Sequence, residues 1–222
     1  MNKTLLFLGM LTLVMAVSGD ARTLKYVELG INQSNFRNES SQSNIGPSFG
    51  IGFDYYPFKS FAGFIGTGLI YQNKRILIEN RTWPLALYPE IANWIVRGDF
   101  HINLSFVELP LQMGYTFDVN DNFSASILAG YSLLIPIKDH TRVKNIKDTE
   151  IESDADRNFD YFLVDEPYIP WSKNFHIGFK MSFKRIALIP KYSRALSITK
   201  SIAGISIKDK IDSFLLFFVF SF

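Results

Sequence analysis

The chain of 222 residues carries 23 Lys and Arg against 21 Asp and Glu, a formal charge of +2, and it has no cysteine. That balance offers no electrostatic basis for a nucleic-acid partner, and the missing cysteine excludes a disulfide framework and a lipid-anchored lipoprotein. Rings make up 15% of the chain, with 21 Phe and 10 Tyr, an enrichment that strands and membrane interfaces share.

Met1-Asn2-Lys3-Thr4 leads into an apolar run from Leu5 to Val17 and then Ser18-Gly19-Asp20-Ala21. One positive charge, about 13 apolar residues and a small-residue exit have the anatomy of a secretory signal peptide, and the run is too short to cross a bilayer as a helix. Residues 1–21 are therefore expected to be a signal peptide, cleaved after Ser18 or after Ala21, followed by one domain over 22–222. No later stretch approaches the roughly 18 apolar residues of a membrane helix, so a membrane reading of the mature chain requires strands.

The mark of a membrane strand is about ten residues with every second side chain apolar. Leu24 to Asn35 carries it weakly. The second strand shows it clearly, with Phe49, Ile51, Phe53 and Tyr55 on one face and Gly50, Gly52 and Asp54 on the other. A weaker third runs from Phe61 to Gln72. In the fourth, Val107, Leu109, Leu111, Met113, Tyr115 and Phe117 alternate with Glu108, Pro110, Gln112, Gly114 and Thr116. The fifth, Phe123 to Ile135, sets Ile127, Tyr131 and Leu133 against Ser124, Ser126 and Ser132. The sixth sets Phe175, Ile177, Phe179, Met181 and Phe183 against His176, Gly178, Lys180 and Ser182. Ile186 to Leu196 follows, and Ser213 to Phe222 closes the chain with apolar residues on both faces.

These eight segments fit an all-β, antiparallel, up-and-down transmembrane β-barrel. The connections strictly alternate. Phe36 to Ile45, Asn73 to Asp99, Ile137 to Trp171 and Ser197 to Asp212 are long; Pro57 to Ser60, Asp118 to Asp121 and the Lys184-Arg185 corner are short. Outer-membrane barrels have short periplasmic turns and long extracellular loops, so this parity puts both termini in the periplasm. A soluble barrel needs no such regularity and would carry its bulky apolar residues inward, whereas here the polar face is rich in Gly and Ser, as a narrow lumen requires. Pro110, Pro136 and Pro190 each remove a ladder donor. Pro136 is expected to mark the outer limit of its strand, and the other two to need bulges or gaps in pairing.

Glu28, Asp54 and Glu108 from the first half share the inward parity with His176, Lys180 and Lys191 from the second. An eight-stranded interior is just wide enough to be filled by side chains, so these six are expected to form a plug of ion pairs; a proton- or ligand-linked gate is the sharper alternative. Asp148, Glu150, Glu152, Asp154 and Asp156 place acids at every second position, which makes them weak candidates for a divalent cation. They lack the turn glycine of an EF-hand loop, and a solvated loop is the plainer reading. Lys138, Arg142, Lys144 and Lys147 are placed to meet lipopolysaccharide phosphates, or to extend a solvated strand. Trp83, Tyr88, Trp94 and Trp171, with Tyr26 and Tyr56, fall near the expected membrane boundaries, which amphipathic rings favour; packing within a loop is the alternative for Trp83 and Trp94. The histidines are His101, His140 and His176, and no Ser and acid stand at a spacing that singles out a triad. With no phosphate loop, dinucleotide glycine pattern or zinc-ligand cluster either, neither catalysis nor a cofactor is expected.

The chain resembles the PorT-type outer-membrane β-barrel proteins of Bacteroidetes. The residues that carry the resemblance are Gly30-Ile31-Asn32-Gln33-Ser34, Tyr55-Tyr56-Pro57, Gly68-Leu69-Ile70-Tyr71-Gln72-Asn73-Lys74, Val107-Glu108-Leu109-Pro110-Leu111 and Lys191-Tyr192-Ser193-Arg194-Ala195-Leu196. Lys191 and Ala195 stand where Arg and Gly are commoner in that family. The resemblance implies an eight-stranded barrel, and one branch of the family is associated with type IX protein secretion. The terminal Phe222 is similar to the aromatic by which the barrel-assembly machinery recognises its clients. The reading is an outer-membrane scaffold for loops that contact a secretion or envelope partner. The alternatives are an adhesin-like barrel that binds a surface ligand and a lipid-modifying enzyme.

Overall fold

A computed structural model describes residues 22–37, 41–58, 62–85, 94–147, 172–195, 198–202 and 205–222; the expected signal peptide and the acidic run Asp148, Glu150, Glu152, Asp154 lie outside them. Its strands are β1 (Arg22–Phe36), β2 (Ser41–Tyr56), β3 (Gly63–Leu85), β4 (Trp94–Asn120), β5 (Phe123–Lys147), β6 (Ser172–Phe183), β7 (Ile186–Ala195), β8 (Ile198–Ile202), β9 (Ile205–Asp209) and β10 (Ile211–Ser221). Eight of these close an antiparallel barrel in the order β1-β10-β7-β6-β5-β4-β3-β2, and β8 pairs with β9 as a separate hairpin. Closure runs from Tyr26↔Ser221 to Phe36↔Ile211, so no strand edge remains in the barrel.

The short turns form for local reasons. Asn120 Oδ1 accepts the N–H groups of Asn122 (3.0 Å) and Phe123 (2.9 Å), the side-chain turn that favours Asn at such corners. Lys184 takes φ 52°, the left-handed conformation that lets Phe183 and Ile186 pair across a two-residue corner. At the end of the chain, the Phe222 N–H donates to Lys25 O at 3.0 Å, seating the terminal ring, itself exposed, at the turn end.

The outward faces at the turn end and middle of the barrel are a belt of exposed apolar residues. On β4 they run from Phe117 through Met113 and Leu109 to the half-exposed Val107; β10 contributes Phe214, Phe218 and Phe220, and β1 Val27, Leu29 and Ile31. Ten residues of tilted strand make a band about 25 Å tall, the thickness lipid demands. Cross-strand ring pairs lie along its far edge, with Phe49 stacked on Tyr71 at 4.9 Å and Tyr131 edge-on to Phe175 at 5.5 Å. Tyr26 does not join them. It points into the lumen, 5% exposed, and the half-buried Tyr56 packs on Phe64.

Three expectations are corrected. Strand extends into all four long connections: β2 begins at Ser41, β3 continues to Leu85, β4 begins at Trp94 and β5 passes Pro136 to reach Lys147, while the fourth contains the β8–β9 hairpin. Pro136 is absorbed by a register shift where Ser105↔Lys138 gives way to Phe106↔Pro136. Backbone ladders pair as well in water as in lipid, so the hairpins do not stop where lipid-facing alternation stops. Trp83, paired with Val96, and Trp94, paired with Leu85, accordingly lie at the far tip of β3–β4, remote from the belt. Pro110 and Pro190 leave gaps in pairing with no change of register, and Thr67 Oγ1 donates to Pro110 O at 2.6 Å across one of them.

The third correction concerns the lumen, which is not uniformly polar. Tyr26, Phe64, Ile70, Leu128, Ala187, Ile189, Leu215, Phe217 and Val219 form one buried cluster. Glycines in the wall make room for its rings: a methyl on Gly52 would come within 2.6 Å of the Tyr26 ring, and one on Gly30 within 2.6 Å of Phe217. Ladder pairing on both sides of β10 leaves one parity for lipid and one for the lumen, which is why its second apolar face is buried.

Candidate functional site

All six residues expected in the lumen point into it and are buried: Glu28, Asp54, Glu108, His176, Lys180 and Lys191. The fold resolves them into two centres. Near the turn end, Lys180 Nζ meets Asp54 Oδ2 at 2.8 Å and lies 5.2 Å above the Tyr26 ring. At mid-height, Glu108 gathers most of the rest. Its carboxylate accepts from Gln72 Nε2, from Ser132 Oγ at 2.5 Å and from Lys191 Nζ at 3.4 Å. These bonds satisfy a charge that would otherwise be prohibitive to bury.

His176 enters through Ser132, whose Oγ lies 3.0 Å from Nδ1. A serine hydroxyl has one proton, and here it goes to Glu108, so the proton in the Ser132–His176 contact belongs to Nδ1. Nε2 then faces Gly130, where a methyl would come within 2.9 Å. Ser, His and Glu thus share one network, but the acid holds the serine rather than orienting the imidazole, the reverse of a nucleophilic triad. Glu28 lies apart from this network, across a small cavity from Lys191; Tyr26, Gln112 and Phe217 also line that space, whose volume of about 10 Å³ has room for about one water.

Lys74 belongs to the lumen as well, although its position at the start of an expected loop hid it. It continues the inward parity of Ile70 and Gln72 on β3, is fully buried, donates to Ser213 Oγ at 2.9 Å and lies 5.9 Å above the Phe106 ring. Ser213 in turn bonds Ser34 at 2.8 Å, and Ser34 lies 3.3 Å from Asn32 Oδ1. With Lys74 included, Glu28, Asp54 and Glu108 are balanced by Lys74, Lys180 and Lys191, so these six carry no net formal charge. Among the described residues no group of three His, Asp or Glu is placed to hold a metal ion.

An inside-out closed sheet with a charge-neutral, side-chain-filled interior is the architecture of a small membrane barrel, and the sequence agrees: residues 24–202 match the model of the outer membrane protein beta-barrel domain. The chain belongs to that family. Members of it reside in the outer membrane, and this chain is an outer-membrane β-barrel protein. No curated protein matches the sequence. Among solved structures it is similar to Neisserial surface protein A, at 11% identity over 91% of this chain and 99% of that one, with a TM-score of 0.46. OprG from Pseudomonas aeruginosa gives 10% identity, 92% and 98% coverage and a TM-score of 0.46. Ail of Yersinia pestis, solved with the heparin analogue sucrose octasulfate, gives 12%, 90% and 99%, with 0.37.

Proposed function

We propose that this barrel is a sealed scaffold that holds its tall β3–β5 hairpins outside the cell for contact with a protein partner in secretion or envelope assembly. The observation that carries the reading is the lumen. Paired charges and rings fill it across its width, so the interior serves the stability of the wall rather than passage of a solute. Meanwhile β3, β4 and β5 span 23, 27 and 25 residues where β6 spans 12, an excess that rises roughly 35 Å beyond the shorter wall.

In this reading the tight turns and both termini are periplasmic, residues 1–21 are removed on export, and Phe222 is the mark read during assembly. In the same reading the protein carries out no catalysis, which is supported by Ser132 and His176 being enclosed and hydrogen-bonded in an order that activates neither. The resemblance to the PorT-type proteins supports a secretion role. An adhesin-like barrel is the second reading, since the same tall wall would serve to present a ligand-binding surface.

Affinity isolation of the native protein from membranes in mild detergent tests the choice. A scaffold brings envelope proteins with it in fixed ratio, whereas recovery of the barrel alone, with binding to an external glycan or protein, favours the adhesin. Orientation is checked separately. The chain has no cysteine, so Glu79→Cys should react with an impermeant maleimide on intact cells, and Arg185→Cys only after the outer membrane is opened.

A further inference from the structure

Just beyond the apolar belt, the outward faces of β2, β3 and β4 change character. Tyr71 OH lies 3.1 Å from Ser105 Oγ; Asn73 Nδ2 donates to Ser105 Oγ at 3.1 Å and to Asn103 Oδ1 at 2.6 Å; and Arg75 Nε donates to Asn73 Oδ1 at 3.0 Å. This polar ladder fixes the exposed Arg75 guanidinium beside an open basin of about 500 Å³, lined by Asn44, Ile45, Arg75, His101 and Asn103. Asn44, Arg75 and Asn103 form one row by register, and the exposed Lys138 pairs with Ser105 one row nearer the belt.

The basin is built by a defect in the sheet. The register of β2 against β3 shifts between Asn44 and Ser48, around Pro47, which has no N–H to give. From inside the barrel Asn32 Nδ2 replaces the missing donor, reaching Asn73 O at 2.9 Å and Ser48 Oγ at 2.9 Å. The kink is therefore held on both faces of the wall, and it re-aims Asn44 and Ile45 around the Arg75 row.

We propose that this basin binds a phosphate group of an outer-leaflet glycolipid. Arg supplies the planar fork that matches phosphate oxygens, Asn44 and Asn103 supply neutral amides, Lys138 adds a second cation, and the exposed Ile45 at the rim with Phe49 and Leu69 below receive the acyl chains. Fixing the guanidinium in advance lowers the entropy lost on binding. That the leaflet is the outer one rests on the orientation proposed above; occupancy of the basin does not.

The test uses the full-length barrel, folded in detergent micelles, with native mass spectrometry as the readout and bis-phosphorylated lipid A as the probe. One lipid should be retained, about tenfold more weakly when the lipid is dephosphorylated or the protein carries Arg75→Gln. Asn103→Asp, which aims a carboxylate at the phosphate, should weaken it further, and if that variant fails to fold Arg75→Gln decides the matter alone. Lys173→Gln, an exposed cation on β6, should change nothing. Equal retention by wild type and Arg75→Gln, or equal loss in Lys173→Gln, would overturn the site. Release of the lipid by micromolar inorganic phosphate would overturn the lipid assignment in favour of a free anion, whereas retention through millimolar phosphate supports it. Because micelles have no sidedness, a failure here is distinct from a failure of the cysteine-labelling experiment.

Discussion

Two stretches of β4 follow opposite rules within one continuous strand. From Phe117 to Val107 the outward residues are apolar, and the inward ones include Glu108 and Gln112. From Phe106 to Ile102 the order inverts: Phe106, Leu104 and Ile102 point inward and are buried, while Asn103 and His101 face out. On β3 the change falls between Tyr71 and Ile76, with Asn73 and Arg75 outside and Ile76 and Ile78 inside. At membrane height the outward face is greasy and the lumen mixes charge pairs with an apolar cluster, whereas the part beyond is a water-facing sheet whose interior is largely apolar. The lesson is that the surrounding phase, not the strand, sets which parity is greasy.

The most severe way to break this contrast is to remove the anion at the centre of the polar lumen. Glu108→Leu leaves Lys191 buried with its carboxylate gone and should cost about 4 kcal/mol, read from urea titration of the refolded barrel in lipid vesicles. An unchanged midpoint would mean that the mid-height network contributes nothing.

Next comes a matched pair of leucines on β4. Leu104→Ala, in the apolar interior beyond the belt, should cost about 3 kcal/mol through the cavity it leaves. Leu111→Ala, on the lipid face, should cost under about 1 kcal/mol, because acyl chains close over the gap. Similar losses in the two variants would erase the distinction between the regions.

Phe179 and Ser182 sharpen the assignment of faces on β6. Phe179→Arg puts a charge toward lipid at about 2 kcal/mol, whereas Ser182→Arg is on the lumen parity near the turn and should lower assembly far less, measured as the heat-modifiable fraction in outer membranes. The smallest effect is expected at the corner. Lys184→Asn keeps φ near 52° with a residue that tolerates it and should raise stability by about 0.5 kcal/mol, seen as a slower unfolding rate.

The inversion also explains what was legible in the residues. Ile102, Leu104 and Phe106 alternate as regularly as Leu109 to Phe117, but on the other parity, so a search for lipid-facing alternation ends at Val107 and reads a loop beyond it. Lys74 was lost the same way: it lies past Tyr71, where the outward apolar run of its strand breaks off, though its inward parity with Gln72 was available as a signal. Asp54 and Lys180 were both legible as inward, yet their meeting across 126 positions depends on the stagger of closure, which no local pattern encodes.

By itself the sequence determined the strand count in the barrel, the places of its tight turns, and the lipid-facing side of the clearly alternating strands at membrane height. Lipid imposes a period-two pattern that can be read residue by residue. Only the closed tertiary structure decided which inward charges meet, how far the hairpins rise beyond the belt, and that Asn44, Arg75 and Asn103 share one outward cleft. Those outcomes follow from register between distant strands, where a shift of one position exchanges the inside of the wall for the outside.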